Sequence, residues 1–256
     1  MPESTYPRIQ RVLILHGDCI CAEGLQQFAR RGFPTAKINR TATVGATETE
    51  LDRSRIDLLI TGSGSAAEGD VLEFLWRNSL ASARYRHVLV VTTHREHHFL
   101  SMLRMLAIRS VFDASTEDSD HLVTALRATA SGGRYWSPSI DESSADDGVH
   151  SNILTRILTT NERVVLSVIG DGRDDDTAAL ELGVSAATIA TVRRDLHRKL
   201  RIQHRGDLIK FAAQYGFIRF TAHGVERPGF SFLSAANNAR RYKQHRPPAR
   251  SQVALS

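Results

Sequence analysis

Short apolar runs alternate with amphipathic stretches through the first half of the chain. Residues 11–15 (RVLIL), 56–60 (IDLLI) and 87–92 (HVLVVT) are short, mainly apolar runs with the length of buried strands, and 109–113 (RSVFD) is a weaker run of the same kind. Helical patterns fall between them at about 20–31, 67–78, 95–107 and 118–130, with a second strand expected in 35–41 and a short helix near 46–53. Five strands and five helices in this alternation predict βαβ units on a parallel sheet, an α/β flavodoxin-like domain over residues 9–137.

The pattern then changes. Residues 138–153 are rich in Ser and Asp, lack a period and read as a linker. Residues 154–218 are helical throughout, in short pieces set off by end signals. Thr159 stands three residues before Glu162, a capping box, and the helix it opens runs through Val164, Val165, Leu166 and Ile169 to Gly170 and Gly172. Asp174, Asp175 and Asp176 open a second helix that closes at Leu182-Gly183. Ser185 caps a third from Ala186 to Leu200, and a fourth covers 205–215. On the third, Ile189, Val192, Leu196 and Leu200 recur at spacings of three and four, while Ala190, Thr191, Arg193, Arg194, His197, Arg198 and Arg201 occupy the other side. A short helix, a glycine turn and a longer basic helix is the order of a helix-turn-helix, though a small bundle with a solvated basic face has the same pattern. Residues 219–256 carry Asn, Arg, Gln and Pro and predict a basic, mostly disordered tail; Phe220, Phe230, Phe232 and Leu233 are apolar exceptions able to dock locally.

Composition narrows the class. With 256 residues, 41% hydrophobic and 24% charged, the chain is an ordinary globular sequence long enough for two domains. The formal charge of +5 is concentrated after residue 218, where seven Lys/Arg face one acid, Glu226, so basicity alone is weak evidence for a nucleic-acid partner. No apolar run approaches the roughly 18 residues of a membrane span, and the first residues lack a secretory pattern, which predicts a cytoplasmic protein with no membrane partner. Cys19 and Cys21 are too close for a disulfide and too few for zinc. His94, His97 and His98 lie in the order HREHH rather than HExxH and predict solvated or pH-sensing surface histidines. GSGS at 62–65 lacks the lysine of a phosphate loop, and no nucleophile–base constellation stands out. No enzyme, cofactor or metal is expected.

Residues 158–218 resemble the LuxR (NarL/FixJ) DNA-binding domain, with Leu158-Thr159, Glu162, Val165-Leu166, Gly172, Ala179, Leu182, Val184-Ser185, Thr188-Ile189, Arg193, Lys199-Leu200, Leu208 and Gly216 in matching order. The resemblance implies a four-helix helix-turn-helix whose third helix enters the major groove of double-stranded DNA. Ala190, Thr191 and Arg194 would face bases, and Ser185, Thr188, Arg193, Arg198 and Lys199 would meet the backbone. It also implies pairing of two domains through the fourth helix on a two-fold-related site. The acidic triplet 174–176 departs from the family and predicts repulsion of phosphates, and Val192, where a histidine is common, predicts a packing exchange.

Residues 11–137 resemble a CheY-like response-regulator receiver, notably of the RcsB-like subgroup, through RVLILHGDCICAEGL, DLLITGSGSAAEGDVLEFL and VLVVTTHRE. The phosphoacceptor position falls on Gly62, the acidic pair on His16-Gly17 with Asp18 one place late, the hydroxyl on Thr92 and the lysine on Ala114. Asp57 begins the same strand, roughly 16 Å from Gly62, and Asp70 lies beyond the loop. One displaced carboxylate cannot hold Mg²⁺. This predicts a degenerate receiver not controlled by aspartate phosphorylation, with a loop at 62–65 over a vacated site that is either filled or open to a small ligand. The receiver resemblance also implies pairing through the face at about 95–107 and 118–130, as a homodimer or a heterodimer with another regulator. A DNA-binding transcriptional regulator is the implied function. An auxiliary or anti-activator protein that pairs with another LuxR-type regulator is the alternative.

Overall fold

The computed structural model describes residues 9–64, 69–80, 84–141, 157–221 and 224–244. Strands β1 (Arg11–Leu15), β2 (Lys37–Thr41), β3 (Ile56–Thr61), β4 (Tyr85–Thr92) and β5 (Ser110–Asp113) alternate with helices α1 (Cys19–Gly32), α2 (Val44–Arg53), α3 (Val71–Leu80), α4 (His97–Met105) and α5 (Ser119–Ala130). A sixth strand, β6 (Tyr135–Trp136), extends the sheet beside β5, giving the order β2-β1-β3-β4-β5-β6 with every ladder parallel. Two residues are too few to register as a run in sequence, so five strands were expected. Strand alternation divides the interior in two: Val12, Ile14, Leu58 and Ile60 face α1 and α5, whereas Leu13, Leu15 and Leu59 face the opposite layer. Each fully buried Leu or Ile contributes roughly 1.5–3 kcal/mol.

The second unit holds α6 (Thr160–Ile169), α7 (Asp175–Leu182), α8 (Ala186–Leu200) and α9 (Arg205–Gln214). The capping box at Thr159 and Glu162 forms, Gly183 turns the chain with φ 63° after α7, and the Ser185 side chain caps α8. Ile189, Val192 and Leu196 of α8 pack on Leu166, Ile169, Leu208 and Phe217.

The expected tail is instead structured where it is described. Strands β7 (Arg219–Thr221) and β8 (Gly224–Glu226) form an antiparallel hairpin, followed by α10 (Phe230–Gln244) against α6 and α3. Leu233 is fully buried, and the Phe232 ring meets Trp76 edge-on at 5.4 Å. Phe230, Leu233 and Asn237 recur at spacings of three and four, but Asn237 is polar, and its amide donates to Asn161 Oδ1 at 3.3 Å. A stripe one third polar does not read as amphipathic in sequence. Residues 245–256 lie outside the described residues. The expected linker also begins packed: 138–141 form a helical turn with Ile140 fully buried, while 142–156, the rest of the linker and the first three residues of the expected helical stretch, lie outside the described residues.

This hairpin joins the two units and changes the reading of the histidines. His98 is buried, stacks on Phe217 with ring centroids 4.4 Å apart, and bonds the Pro228 carbonyl through Nε2 at 3.1 Å. Burial drives its pKa down to about 4. Arg219 donates to Glu96 at 3.1 Å, the Gly229 amide donates to Asp70 at 2.9 Å, and Arg227 bridges Asp171 and Glu181. His94 bonds Glu96 and the His97 ring leans on Tyr215, so the three side chains take separate directions.

Candidate nucleic-acid interface

Helix α8 presents its two sides very differently. With its apolar stripe facing inward, Thr191, Arg194 and Arg198 recur at spacings of three and four on the exposed side, one continuous strip. Ala190 borders this strip and is half-buried. The Thr191 hydroxyl donates to the Ala187 carbonyl at 2.9 Å. Among the described residues Arg194 has no ion pair or hydrogen bond, whereas Arg198 donates to Asp195 at 2.7 Å. That pair is exposed and worth under about 1 kcal/mol, so it yields readily to a phosphate. Ser185 and Thr188 sit at the N-terminal end: Ser185 Oγ accepts the Thr188 amide at 3.1 Å and lies 2.8 Å from its hydroxyl.

Two sequence-selected cations fall off this surface. Arg193 donates to Asp175 of α7 at 2.7 Å. Lys199 turns inward and donates to Glu162 at 2.8 Å and to the Ile157 carbonyl at 3.0 Å, tying the end of α8 to the capping box of α6. The acidic triplet is likewise largely engaged. Asp174 caps α7 by accepting the Thr177 amide at 2.8 Å, Asp175 holds Arg193, and Asp176 is exposed.

The degenerate receiver positions gather at the carboxyl end of the sheet, each already bonded. The Gly62 amide donates to the Leu15 carbonyl at 3.0 Å, and the Ala114 amide to the Thr92 carbonyl at 2.8 Å. Thr92 Oγ1 accepts the His94 amide at 2.8 Å. The Asp18 amide donates to His16 Nδ1 at 3.1 Å, with Gly17 between them, while the Asp18 carboxylate caps α1 on the amides of Ile20 and Cys21. Those amides, Cys21 first, hold its pKa below the usual value. Asp57 accepts the amides of Gln10 and Arg11 at the other end of the sheet. Asp70 caps α3 on Leu72 and Glu73, and burial pushes its pKa up.

Sequence reasoning missed Asp113 as the centre of this site. It is fully buried and accepts from the Ser115 amide at 2.9 Å, the Ser115 hydroxyl at 2.5 Å, Ser139 at 2.8 Å and Thr116 at 3.0 Å, and it pairs with Arg95 at 2.6 Å. Burial pushes its pKa up, but these donors outweigh burial and set it at about 2. The Ser115-Thr116 pair after an Asp was the available signal; Ser139, distant in sequence, was not. Beside Ser63 and Gly64 lies a cleft of about 220 Å³, bordered also by Asp70, Arg219 and Arg227; none of His16, Asp18, Gly62, Thr92 and Ala114 lines it.

Residues 156–212 match the family described as bacterial regulatory proteins, luxR family. The chain thus carries a LuxR-family domain behind an α/β domain of receiver-like fold and is a DNA-binding transcriptional regulator. Over its wider length it is 29% identical to the transcriptional regulatory protein MctR of Rhizobium johnstonii, covering 83% of this chain and 96% of that protein. The HTH-type transcriptional regulator MalT of Cronobacter sakazakii is 40% identical over 73 residues, 28% of this chain and 8% of MalT. In fold, the chain is similar to RcsB from Salmonella enterica serovar Typhimurium bound to promoter P1flhDC, with a TM-score of 0.57, 18% identity, and coverage of 80% of this chain and 98% of that one. A second RcsB structure, bound to promoter rprA, gives a TM-score of 0.55 at 16% identity over 80% of this chain and 98% of that one. Among the described residues no helix is long and apolar enough to cross a membrane.

Proposed function

We propose that the chain binds double-stranded DNA as a dimer through the exposed strip of α8, with Thr191, Arg194 and Ala190 toward base edges and Ser185, Thr188 and Arg198 toward phosphates. The observation that carries this reading is Arg194: a guanidinium on the outer face of a helix-turn-helix, unpaired among the described residues. Arg193 and Lys199 are assigned to holding α8 in place, although Arg193 can exchange Asp175 for a phosphate. The chain acts in the cytoplasm, without enzymatic activity. Its output is set by protein contacts or abundance rather than by aspartate phosphorylation, a reading supported by glycine at position 62 and by the bonded state of Asp18, Asp70 and Asp113.

A gel shift with fragments of the source genome tests the reading. The wild-type chain is expected to retard specific fragments, and Arg194→Ala to lose that shift while keeping its circular dichroism; equal retardation by both overturns the assignment. A second reading, an auxiliary subunit that binds DNA only beside a partner regulator, is favoured by the neutralisation of Arg193 and Lys199 within the chain. A shift that appears only on adding the partner supports it. For the receiver-like domain, incubation with acetyl phosphate and Mg²⁺ is expected to leave the intact mass unchanged, and a stoichiometric phosphate adduct contradicts the phosphorylation-independent reading.

A further inference from the structure

The ladder between β4 and β5 is shorter than β4 itself. It joins Val90–Thr92 to Val111–Asp113, while β4 begins at Tyr85. The first residues of β4 therefore have β3 on one side and an opening on the other. That opening is a cleft of about 410 Å³ at the amino end of the sheet, remote from Gly62 and Thr92, with apolar walls from Leu75, Val88, Leu106 and Ile108. Its size falls in the range of small-molecule sites, roughly 300–1,000 Å³.

Among the described residues, two polar atoms in this lining have no partner. Ser110 is fully buried and its Oγ bonds nothing, and the buried Nε2 of His87 is equally unpaired. Leaving a buried hydroxyl unsatisfied costs stability unless something supplies the missing bond. The charge of the cleft is one-sided. Arg86 and Arg109 stand exposed on its rim, and among the described residues no carboxylate lines it and neither arginine has an ion pair. Burial, and then Arg86, depress the His87 pKa below its ordinary value against the opposing charge of Asp57. Gly132 turns past the ring with φ +75°, and a Cβ there would stand 3.5 Å from His87 Cε1.

We propose that this cleft binds a small organic carboxylate, its head group accepting from the Ser110 hydroxyl, the His87 Nε2–H and a rim guanidinium, and its apolar body lying against Leu106 and Ile108. The donors line one cleft, its rim is positive, and apolar walls call for more than an inorganic anion.

The test uses the full chain with propionate, hexanoate and benzoate, and with hexanamide and inorganic phosphate as controls, read by calorimetric titration and thermal shift. At least one acid is expected to bind saturably and raise Tm, and the amide and phosphate are expected to do neither. Ser110→Ala is expected to raise the Tm of the ligand-free chain, since its orphaned hydroxyl is gone, and to weaken the acid at least about tenfold, the loss of one charge-assisted hydrogen bond. Arg109→Ala, on the exposed rim, is expected to weaken binding with Tm unchanged. The proposal is overturned if none of the three acids binds at about 10 mM, well past a millimolar Kd. It is also overturned if hexanamide or phosphate binds as well as the acids, or if neither substitution changes the affinity.

Discussion

Lys199 reads in sequence as one more cation on a basic helix, yet its ammonium is spent inside the molecule on Glu162 and the Ile157 carbonyl. The difference is one of angle: position 199 falls where α8 passes the start of α6, which no local pattern encodes. Lys199→Met is therefore expected to lower stability by about 1.5–3 kcal/mol, the worth of a hydrogen bond to a charged group. Urea unfolding measures this, and a change within about 0.5 kcal/mol, typical of a surface site, would contradict the inward role. His98 makes a second test through pH. Its folded pKa of about 4 lies below the ordinary 6.5, so the unfolded chain binds the proton more readily. Its contribution is fully present above pH 6.5 and is lost as pH falls toward 4. His98→Phe is expected to flatten that part of the stability–pH curve and lower the plateau at pH 8, because Pro228 loses its partner. Asp113, with a folded pKa of about 2 against 3.8, acts lower, between pH 4 and 2.

At the scale of elements, the parts with strong local signals were legible. Continuous apolar strands, the capping box at Thr159 and the stripe Ile189–Val192–Leu196 all stand where the sequence placed them. What escaped was built from non-local partners: a two-residue β6, and an α10 whose inward face includes the polar Asn237. Of the proposed DNA surface, the strip at 191, 194 and 198 follows from periodicity alone, whereas the diversion of Arg193 to Asp175 required α7 to be in place. Ser185→Ala is expected to cost about 1 kcal/mol through loss of the α8 cap. Gly216→Ala should cost more. Its φ of +79° disfavours a side chain, and the new Cβ would stand 2.5 Å from Glu96 Cβ at the junction of the two units. Thermal unfolding of the two variants ranks them; equal losses would mean that this junction gives way freely.

For the whole molecule, the hairpin and α10 act as a strap. Leu233 and Phe232 insert beside α3, Gly229 seats on Asp70, and Arg219 seats on Glu96. A chain ending at residue 218 is expected to melt in two calorimetric transitions where the full chain melts in one; a single transition in both would show that the strap does not couple the units. The strap leaves Thr191, Arg194 and Arg198 exposed, and on this the account of DNA binding rests. Its most direct test is hydroxyl-radical footprinting of the protein, read by mass spectrometry, with and without a bound genomic fragment. Protection is expected to centre on the peptide spanning 186–201. Protection confined to other surfaces, with that peptide equally reactive in both states, would contradict it.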